Sequence, residues 1–409
     1  MHLRTTPDSP QRERAAARRL RLHISECGDL ARIPLVYHRA MKTILRDRRS
    51  PTLHDFPYRG EGRKCYHKWI VNVTPPGRAH CVHSCLYCYA RDAVYARKAE
   101  DVMAVYSNLP ALVEKELAGL ELCPPVSISN VTDPCQDVPE LRQMVKELVH
   151  VLVRWGVSFH IITKGDPSFL SQVEGFPGKG RFFLAVTIEG PAEVLRLLSP
   201  QAPPYRSRLQ ALRWASSIGL PALVRLDPVI PSLWRTLYGE AWKDRAVEVL
   251  ADCAAAGAGH VVSSTGRFTA STLSRLGDVV SELSTAEGDR FAREYTYDRS
   301  YTSSGYMLRH DRRLAFHRGM RAAAKKSGMT YAVCQELGTD EADSPGLPHC
   351  EAFAMPFSRR VGPQEFEPIP DCSANCHATC PDSAEPPCRR PQLIRKEPYK
   401  PSMLRLSEV

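Results

Sequence analysis

The sequence predicts an α/β fold built on a parallel sheet. From Trp69 onward, short apolar segments of strand length alternate with longer segments whose apolar residues recur at helical spacing. This alternation is typical of parallel strands joined by crossover helices. At 409 residues, of which 43% are hydrophobic, the chain is long enough for one barrel-sized core and a smaller appended region. We therefore expect a folded globular protein.

Six segments have the length and composition of buried strands, and amphipathic helices fit between them. In the helix predicted over 140–155, for example, Leu141, Met144, Val145 and Leu148 share one face. Further helices are predicted over 205–218 and 244–256. The predicted strands are residues 69–73, 126–131, 158–163, 182–187, 222–226 and 260–263.

The composition divides the chain into three parts. We predict a basic N-terminal extension over 1–64, the sheet domain over 65–287, and a C-terminal extension over 288–409, where Pro, Cys and charged residues accumulate. The first residues, to about His23, carry six arginines. These arginines are explained by a solvated extension of the chain, and the alternative is an arm that binds nucleic acid.

The charge and hydropathy of the chain limit the kinds of partner that it can have. The formal net charge of +10 is compatible with a nucleic acid or nucleotide partner, but the basic residues form no single patch, so a solvated surface explains it equally well. No apolar run reaches the ~20 residues that cross a bilayer, and the Arg-rich start lacks the apolar core of a secretory signal. We expect a cytoplasmic protein with reduced thiols and no membrane partner.

The most informative motif is the array Cys81-Val82-His83-Ser84-Cys85-Leu86-Tyr87-Cys88, which has the spacing CxxxCxxC. Thiolates are the ligands of iron–sulfur clusters, and three of them leave one iron of a four-iron cube open to a ligand from outside. A structural zinc site that includes His83 is the alternative, although zinc motifs usually place CxxC pairs far apart. A disulfide is a weaker hypothesis, because three closely spaced thiols cannot pair among themselves.

The array resembles the signature of the radical S-adenosylmethionine (SAM) superfamily, in which an aromatic residue, here Tyr87, precedes the last cysteine. Other segments resemble the spore photoproduct lyase-like branch, which is related to DNA repair photolyases. Those segments are Cys88-Tyr89-Ala90-Arg91, Val131-Thr132-Asp133-Pro134-Cys135-Gln136, Ile162-Thr163-Lys164 and Asp227-Pro228-Val229-Ile230-Pro231. The resemblance covers roughly residues 69–250, and only the cysteine array is highly specific.

The resemblance implies a fold and a chemistry. The fold is a partial (β/α)6 TIM-like radical SAM barrel, with the cysteine loop at the strand ends where parallel barrels place their chemistry. Cys81, Cys85 and Cys88 would hold a 4Fe-4S cluster whose open iron chelates S-adenosyl-L-methionine. An electron from an external one-electron reductant then cleaves the sulfonium, and the 5'-deoxyadenosyl radical abstracts a substrate hydrogen.

Polar residues at the predicted strand ends are candidates for binding this cofactor. Lys164 could pair with its carboxylate or with a substrate phosphate, or be merely solvated. The residues after the fourth and fifth strands could instead belong to structural ion pairs. The cofactor-binding candidates are Tyr87, Ser129, Asn130, Thr132, Asp133, Lys164, Thr187, Glu189 and Arg225.

Cys135 is the candidate catalytic residue. It stands where the branch usually has tyrosine, and a thiol can donate a hydrogen atom to a substrate radical. A buried and inert cysteine is an equal alternative, because free Cys packs as a small hydrophobe.

Four further thiols near the C-terminus predict a second metal centre. A second 4Fe-4S cluster fits their number, and the alternatives are zinc, with or without His377, and a tail that binds no metal. Such a cluster could pass electrons, bind substrate or surrender sulfide to a carbon radical. The four are Cys372, Cys376, Cys380 and Cys388, and Cys334 and Cys350 are reserves.

We therefore expect a radical SAM enzyme that abstracts hydrogen from a nucleoside- or nucleotide-type small molecule, with sulfur insertion from the auxiliary cluster as one outcome. The first alternative is spore photoproduct lyase-like repair of DNA lesions, which the basic N-terminal extension would serve. The second is a zinc-stabilised nucleic-acid-binding protein with no activity. It predicts zinc instead of iron in the purified protein.

Overall fold

The computed structural model describes residues 42–56, 64–75, 81–91, 102–299, 305–381, 383–393 and 401–405, and every structural statement concerns these. The Arg-rich start of the chain and the side chain of His377 lie outside the described residues, so the basic arm and a histidine ligand stay predictions. No helix in the described ranges is both long and apolar enough to span a membrane.

Strands and helices alternate along the described chain. The strands are β1 Lys42–Arg46, β2 His54–Asp55, β3 Trp69–Val71, β4 Val102–Tyr106, β5 Leu122–Cys123, β6 Val126–Ile128, β7 Phe159–Thr163, β8 Phe182–Thr187, β9 Ala222–Leu226, β10 His260–Ser263, β11 Arg267–Phe268, β12 Tyr295–Asp298, β13 Gly305–Leu308, β14 Thr330–Val333, β15 Ser358–Gly362 and β16 Glu365–Pro368. The helices are α1 Leu109–Ala118, α2 Pro139–Trp155, α3 Ala192–Leu198, α4 Tyr205–Ser217, α5 Pro231–Tyr238, α6 Trp242–Ala255, α7 Ala270–Leu283, α8 Thr285–Glu294, α9 His310–Lys326, α10 Thr339–Ala342 and α11 Cys376–Thr379.

A sheet of eight strands in the order β14-β10-β9-β8-β7-β6-β3-β2 forms the centre. All neighbours pair in parallel except β2, which runs antiparallel to β3. The strands from β6 to β8 and β10 are buried along almost their whole length, as expected for a parallel sheet covered on both faces. The six predicted strands are all present, which confirms the parallel α/β prediction.

The sheet differs from the prediction in two respects, the length of its first strands and the presence of a seventh parallel strand. The first two strands are shorter than predicted; β6, for instance, ends at Ile128 because Ser129 adopts a left-handed backbone with φ 59°. A seventh parallel strand, β14, lies beyond the predicted domain limit at 287. It was not predicted, because the long segment 264–329 between β10 and β14 interrupts the alternation of strands and helices. The sheet is open, since β14 and β2 end it without pairing to each other.

Helix α2 illustrates why the predicted helices form. Pro139 occupies the first turn, where a missing N–H is tolerated, and Gly156 ends the helix in the left-handed conformation with φ 71°. A Cβ atom at Gly156 would also lie 2.2 Å from the carbonyl oxygen of Phe366. Glycine is therefore required here both by the backbone angle and by the close approach of β16.

The later part of the C-terminal extension, from Cys350 onward, packs where the parallel strands begin, an edge that we call the amino edge. The amide of His67, two residues before β3, donates to the carbonyl of Ala374 (2.7 Å), and Ser358 donates to the carbonyl of Gly156 (3.5 Å), before β7. His260, which opens β10, donates from Nε2 to the carbonyl of Cys350 (2.9 Å). The cysteine loop lies at the opposite edge, where the parallel strands end. We call this edge the carboxyl edge.

Candidate active site

The carboxyl edge collects the cysteine loop and most of the polar residues predicted to bind the cofactor. The loop, residues 81–91, follows β3, and its contacts reach residues that directly follow β6, β7 and β8. Carboxyl ends of parallel strands are where α/β proteins hold their ligands, because the connecting loops diverge there. The carboxyl edge is therefore the candidate site for binding a ligand.

Asp133 connects the loop to two strands. Its Oδ1 accepts hydrogen bonds from Thr163 Oγ1 (2.6 Å) and from the amide of Cys135 (2.8 Å). Its Oδ2 accepts from the amide of Lys164 (2.6 Å) and lies 3.3 Å from Nδ1 of His83. Burial alone would raise the pKa of Asp133, but His83 and these hydrogen bonds hold it well below its usual range. Both oxygens are used within the protein, so Asp133 acts here as a positioning residue.

Gln136 fixes the start of the same loop, a contact that the sequence analysis did not identify. Its side chain is fully buried, accepts from the amide of Val82 (2.6 Å) through Oε1, and donates to the carbonyl of Asp133 (2.8 Å) through Nε2. The signal was available in the sequence, because Gln136 belongs to the Val131–Gln136 segment on which the resemblance was based. Together Asp133 and Gln136 define the path of residues 81–83.

The three loop thiols lie close enough to influence one another. Cys85 is buried and the other two are partly exposed. Burial raises the pKa of Cys81 to about 12 and of Cys85 to about 11. These two thiols are therefore protonated in the metal-free protein, and a metal that bound them would release the protons. The donor set, three thiols from one loop beside the partly buried cation of Lys164, fits a cluster with one iron free.

Within the described residues, no three His, Cys, Asp or Glu side chains come together closely enough to hold a single metal ion. The thiolates of an iron–sulfur cube each bind a different iron atom, so they surround the cluster instead of meeting at one point.

Glu189 forms the second support of the loop. It is fully buried after β8, and accepts hydrogen bonds from the Tyr87 hydroxyl and from Arg208 Nη1. Nζ of Lys164 lies 3.9 Å from Glu189 Oε1 and 5.4 Å from the centre of the Tyr87 ring. Burial would raise the pKa of Glu189, but Arg208 and Lys164 hold it below its usual value. Tyr87 is thus attached to a charged and buried cluster.

Arg208 was missed by the sequence analysis. It is fully buried on α4 and also donates to the carbonyls of Thr187 (3.0 Å) and Pro203 (2.8 Å) and to Ser199 Oγ (2.7 Å). Its position falls on the buried stripe of that helix, which also contains Ala211, Leu212 and Ala215. An arginine within an apolar stripe was the signal, since buried arginines are rare unless paired.

Two residues after β6, Ser129 and Thr132, form a hydrogen-bonded chain with Thr74, and the backbone of Asn130 contacts the loop. Ser129 Oγ lies 2.7 Å from Thr132 Oγ1, which lies 2.9 Å from Thr74 Oγ1. The carbonyl of Asn130 accepts from the hydroxyl of Tyr89 (2.5 Å). Ser129 has a left-handed backbone, and so does Ser84 inside the loop, with φ 50°. Such strain costs about 1–3 kcal/mol per residue and concentrates at functional sites.

Arg225 is already engaged by two carboxylates. Nη2 donates to Asp227 Oδ2 (2.7 Å) and Nη1 to Glu351 Oε1 (3.4 Å), and Nη2 also lies 3.5 Å from the sulfur of Cys334. The structural ion-pair interpretation therefore describes the observed contacts of Arg225. Its role toward a cofactor stays a prediction.

Cys135 lies beneath the surface of this edge. It is fully buried, and burial raises the pKa of its thiol well above the usual range, so the sulfur carries a proton. A Cβ atom on Gly165 would lie 2.0 Å from the carbonyl oxygen of Cys135, which shows how closely the loop after β7 covers it. The geometry is that of a packed cysteine, and a catalytic role stays a prediction.

The four C-terminal cysteines line one small cavity that opens to solvent. Apolar side chains complete the wall, among them Phe357 and Leu393. Burial raises the pKa of Cys372 and of Cys388. The structure therefore brings together the four residues Cys372, Cys376, Cys380 and Cys388.

No protein-family model matches the chain. The uncharacterized protein ORF301 of Acidianus two-tailed virus is 25% identical over 189 residues, which are 42% of this chain and 59% of that protein. The chain therefore spans less than two thirds of the length of this curated relative.

Solved structures of spore photoproduct lyase share the fold. The complex with dinucleoside spore photoproduct superposes with a TM-score of 0.52 at 15% identity, over 71% of this chain and 82% of that chain. A mutant with bound AdoMet and the same dinucleoside gives 0.51 at 16% identity, over 71% and 81%. Another mutant gives 0.52 at 14% identity, over 78% and 94%. The resemblance to this radical SAM branch is confirmed at the level of the fold.

Proposed function

We propose that this chain, which has the fold of spore photoproduct lyase, is a radical SAM enzyme. Cys81, Cys85 and Cys88 would hold a 4Fe-4S cluster. With S-adenosyl-L-methionine and an electron from an external reductant, that cluster supplies a 5'-deoxyadenosyl radical for hydrogen abstraction. The proposal includes the curvature of the sheet into a partial (β/α)6-type barrel around the site, which the likeness to the lyase structures supports.

One observation carries the proposal. The CxxxCxxC loop lies at the carboxyl edge of a parallel sheet and is attached there at two points, His83 beside Asp133 and Tyr87 to Glu189. A loop anchored by buried charges on both sides is held in one conformation before any metal arrives. Such preorganisation is what a reactive metal site requires and what a solvated surface loop lacks.

The charges around the loop suit an amino-acid cofactor. In this proposal the ammonium of Lys164, mostly buried beside Tyr87, pairs with the carboxylate of S-adenosyl-L-methionine. Ser129, Asn130 and Thr132 offer hydroxyl and amide groups to its ammonium at the end of β6. Thr187 contributes from the end of β8, where its carbonyl is already fixed by Arg208.

For the substrate we propose a nucleoside- or nucleotide-type molecule. Spore photoproduct lyase structures contain a dinucleoside photoproduct, and the fold likeness transfers that chemistry as a proposal. In addition, the side chain of Tyr89 is 56% exposed beside the cysteine loop, with its hydroxyl fixed on Asn130. An exposed aromatic face is a surface on which any nucleobase can stack.

Cofactor cleavage tests the proposal without knowledge of the substrate. The chain is purified without oxygen, and dithionite-dependent release of 5'-deoxyadenosine from S-adenosyl-L-methionine is measured for wild type, Cys85→Ala and Cys253→Ala. Cys253 is a matched control, because it is also buried but lies on α6. We expect release from wild type and Cys253→Ala and none from Cys85→Ala. Release from Cys85→Ala, or none from wild type, would overturn the assignment.

Repair of a lesion in DNA is the second candidate, favoured by the likeness to the lyase complexes and by the net charge of +10. Binding to an oligonucleotide, measured at several salt concentrations, separates the two candidates. A DNA substrate predicts affinity that falls steeply with salt, because neutralised phosphates release counterions. No affinity for oligonucleotides would leave the small-molecule substrate. Zinc in place of iron, with no cofactor cleavage, would instead support the non-enzymatic alternative.

A further inference from the structure

The cavity of four cysteines lies at the opposite edge of the sheet from the cysteine loop. Phe357 and Ala374 both line it. Phe357 precedes Ser358, which donates to the carbonyl of Gly156 before β7 begins, and the carbonyl of Ala374 accepts from His67 before β3 begins. The backbone of Cys388 is held at the same edge, because its carbonyl accepts from Arg359 Nη2 (2.8 Å). The cavity is therefore a feature of the amino edge.

The sheet separates this cavity from the proposed reaction site. Strand β7 connects the two edges, and the six steps from Ser158 to Lys164, at roughly 3.3 Å each, span about 20 Å. At the far end of this span, Nζ of Lys164 lies 5.4 Å from the centre of the Tyr87 ring in the cysteine loop. A sulfide that forms a bond to a carbon radical must be in contact with that carbon. A cluster in the cavity is too far from the loop to be the sulfur donor.

The segment that leads to the cavity carries a carboxylate into the sheet. Glu351 is 2% exposed, and its Oε2 accepts from Lys68 Nζ (3.1 Å) while Oε1 accepts from Arg225 (3.4 Å). Burial alone would raise the pKa of Glu351, but Lys68 and the other nearby cations hold it far below the usual range. The extension thus supplies a carboxylate to the buried Lys68 and a second carboxylate, beside Asp227, to the partly buried Arg225.

Backbone and side-chain contacts connect Glu351 to the cavity. The amide of Cys350 donates to the carbonyl of Lys64 (3.0 Å), which places this segment along the chain that enters β3. Asn375 is buried and donates from Nδ2 to the carbonyl of Pro348 (2.8 Å). Asn375 immediately precedes Cys376. Immobilising the four cysteines would therefore also immobilise the segment around Cys350 that carries Glu351.

We propose that Cys372, Cys376, Cys380 and Cys388 hold a four-iron cluster that clamps the C-terminal extension onto the amino edge and keeps Glu351 between Lys68 and Arg225. Tetrahedral zinc would need its thiolates at about 2.3 Å from one ion, whereas no three His, Cys, Asp or Glu side chains of the described residues come close enough to hold a single ion. The clamp is structural, and the cluster is not a sulfur source for the reaction. This inference rests on the proposed function only for the identity of the opposite site.

The first test uses Cys376→Ala in the full chain, with Cys253→Ala as the matched control. We expect Cys376→Ala to lose about half of the bound iron and sulfide, on an inventory of two four-iron clusters. Amide exchange at residues 349–353 and 64–68 should become at least tenfold faster, while 5'-deoxyadenosine release stays within about threefold of wild type. Unchanged iron, zinc in the cavity, or unchanged exchange at both segments would each overturn the clamp.

The second test needs no variant. In the reduced wild-type holoprotein, the magnetic dipolar coupling between the two clusters reports their separation, which we expect to be about 20 Å or more from the strand span. Coupling that corresponds to clusters in contact with one substrate would contradict the inference. If wild type releases no 5'-deoxyadenosine, the proposed function fails, but iron content and amide exchange still decide whether the clamp exists.

Discussion

Nδ1 of His83 lies 3.3 Å from Oδ2 of Asp133, and both side chains are buried. His83 sits inside the cysteine array, and Asp133 follows β6, so this contact joins the loop to the sheet. The remaining acceptor positions of Asp133 are occupied by Thr163 and two backbone amides. The loop is therefore oriented by groups that need not touch cofactor or substrate, as outer residues orient the ligands of metal sites.

Replacing this carboxylate should loosen the loop. In Asp133→Asn the charge opposite His83 is lost and one acceptor becomes a donor, so at least one buried amide loses its partner. We expect the free energy of unfolding to fall by about 1–3 kcal/mol and the iron bound by the loop to decrease. Urea unfolding and iron analysis measure both. Asp137→Asn, at a side chain that is 90% exposed, is the control and should change neither. Wild-type iron and stability in Asp133→Asn would contradict this role.

The buried pair of Glu189 and Arg208 gives a second prediction. Arg208→Met removes the cation but leaves Glu189 in the interior, and breaking a buried pair this way costs about 3–5 kcal/mol. Arg208→Met/Glu189→Gln should recover part of that loss, because no unpaired charge remains. Urea unfolding measures both, with exposed Arg206→Met as the control. A double variant that is less stable by the sum of the two single losses would show that the pair is not coupled.

Two glycines should respond in opposite directions to alanine. A methyl group on Gly165 would lie 2.0 Å from the carbonyl oxygen of Cys135, so the backbone must shift and disturb the adjacent Lys164 amide that donates to Asp133. Gly319, inside α9, has open space where the methyl group of an alanine would lie. We expect Gly165→Ala to lower the melting temperature, and Gly319→Ala to gain up to about 1 kcal/mol from helix propensity. Equal effects from both would refute the close packing at Gly165.

Three buried histidines predict that stability falls with acidity. Burial lowers the pKa of His160 to about 3 and of His260 and His349 to about 4. Their unfolded pKa is about 6.5, so below that pH the unfolded state binds protons that the native state does not. Stability is then complete above about pH 6.5 and is lost as pH decreases, by up to about 1.4 kcal/mol per pH unit for each histidine.

Urea unfolding at pH 7.5, 6.5 and 5.5 measures this dependence. His260→Gln should reduce the pH slope by roughly one histidine's share, whatever its effect on stability at pH 7.5. His150→Gln, at an exposed position on α2, should keep the wild-type slope. A wild-type slope of zero between pH 6.5 and 5.5 would show that these groups titrate equally in both states.

The sheet was predictable because its strands are continuous apolar runs that are buried on both faces. Strand β14 was not recognised, because the segment that contains β11 to β13 and helices α7 to α9 interrupts the alternation before it. The position of the C-terminal extension was also beyond the sequence, since it depends on contacts between residues far apart in the chain, such as His67 with Ala374.

The three thiols of the candidate site could be singled out from the sequence, whereas the residues that support their loop could not. Cys81, Cys85 and Cys88 are recognised by spacing alone. Arg208 and His83 support the loop through tertiary contacts, which the spacing of residues in the sequence does not encode. For the same reason, the sequence could not indicate that Glu351 would form an ion pair with Arg225. Sulfur insertion followed from counting cysteines, and the opposite placement of the two cysteine groups argues against it.

The central claim is tested most directly by one anaerobic preparation of the wild-type chain, in which iron, sulfide and zinc are counted and dithionite-dependent 5'-deoxyadenosine is measured. The account predicts about eight irons per chain, no stoichiometric zinc, and release of 5'-deoxyadenosine from S-adenosyl-L-methionine. Protein that contains no iron, or that is loaded with iron but releases no 5'-deoxyadenosine, would contradict it.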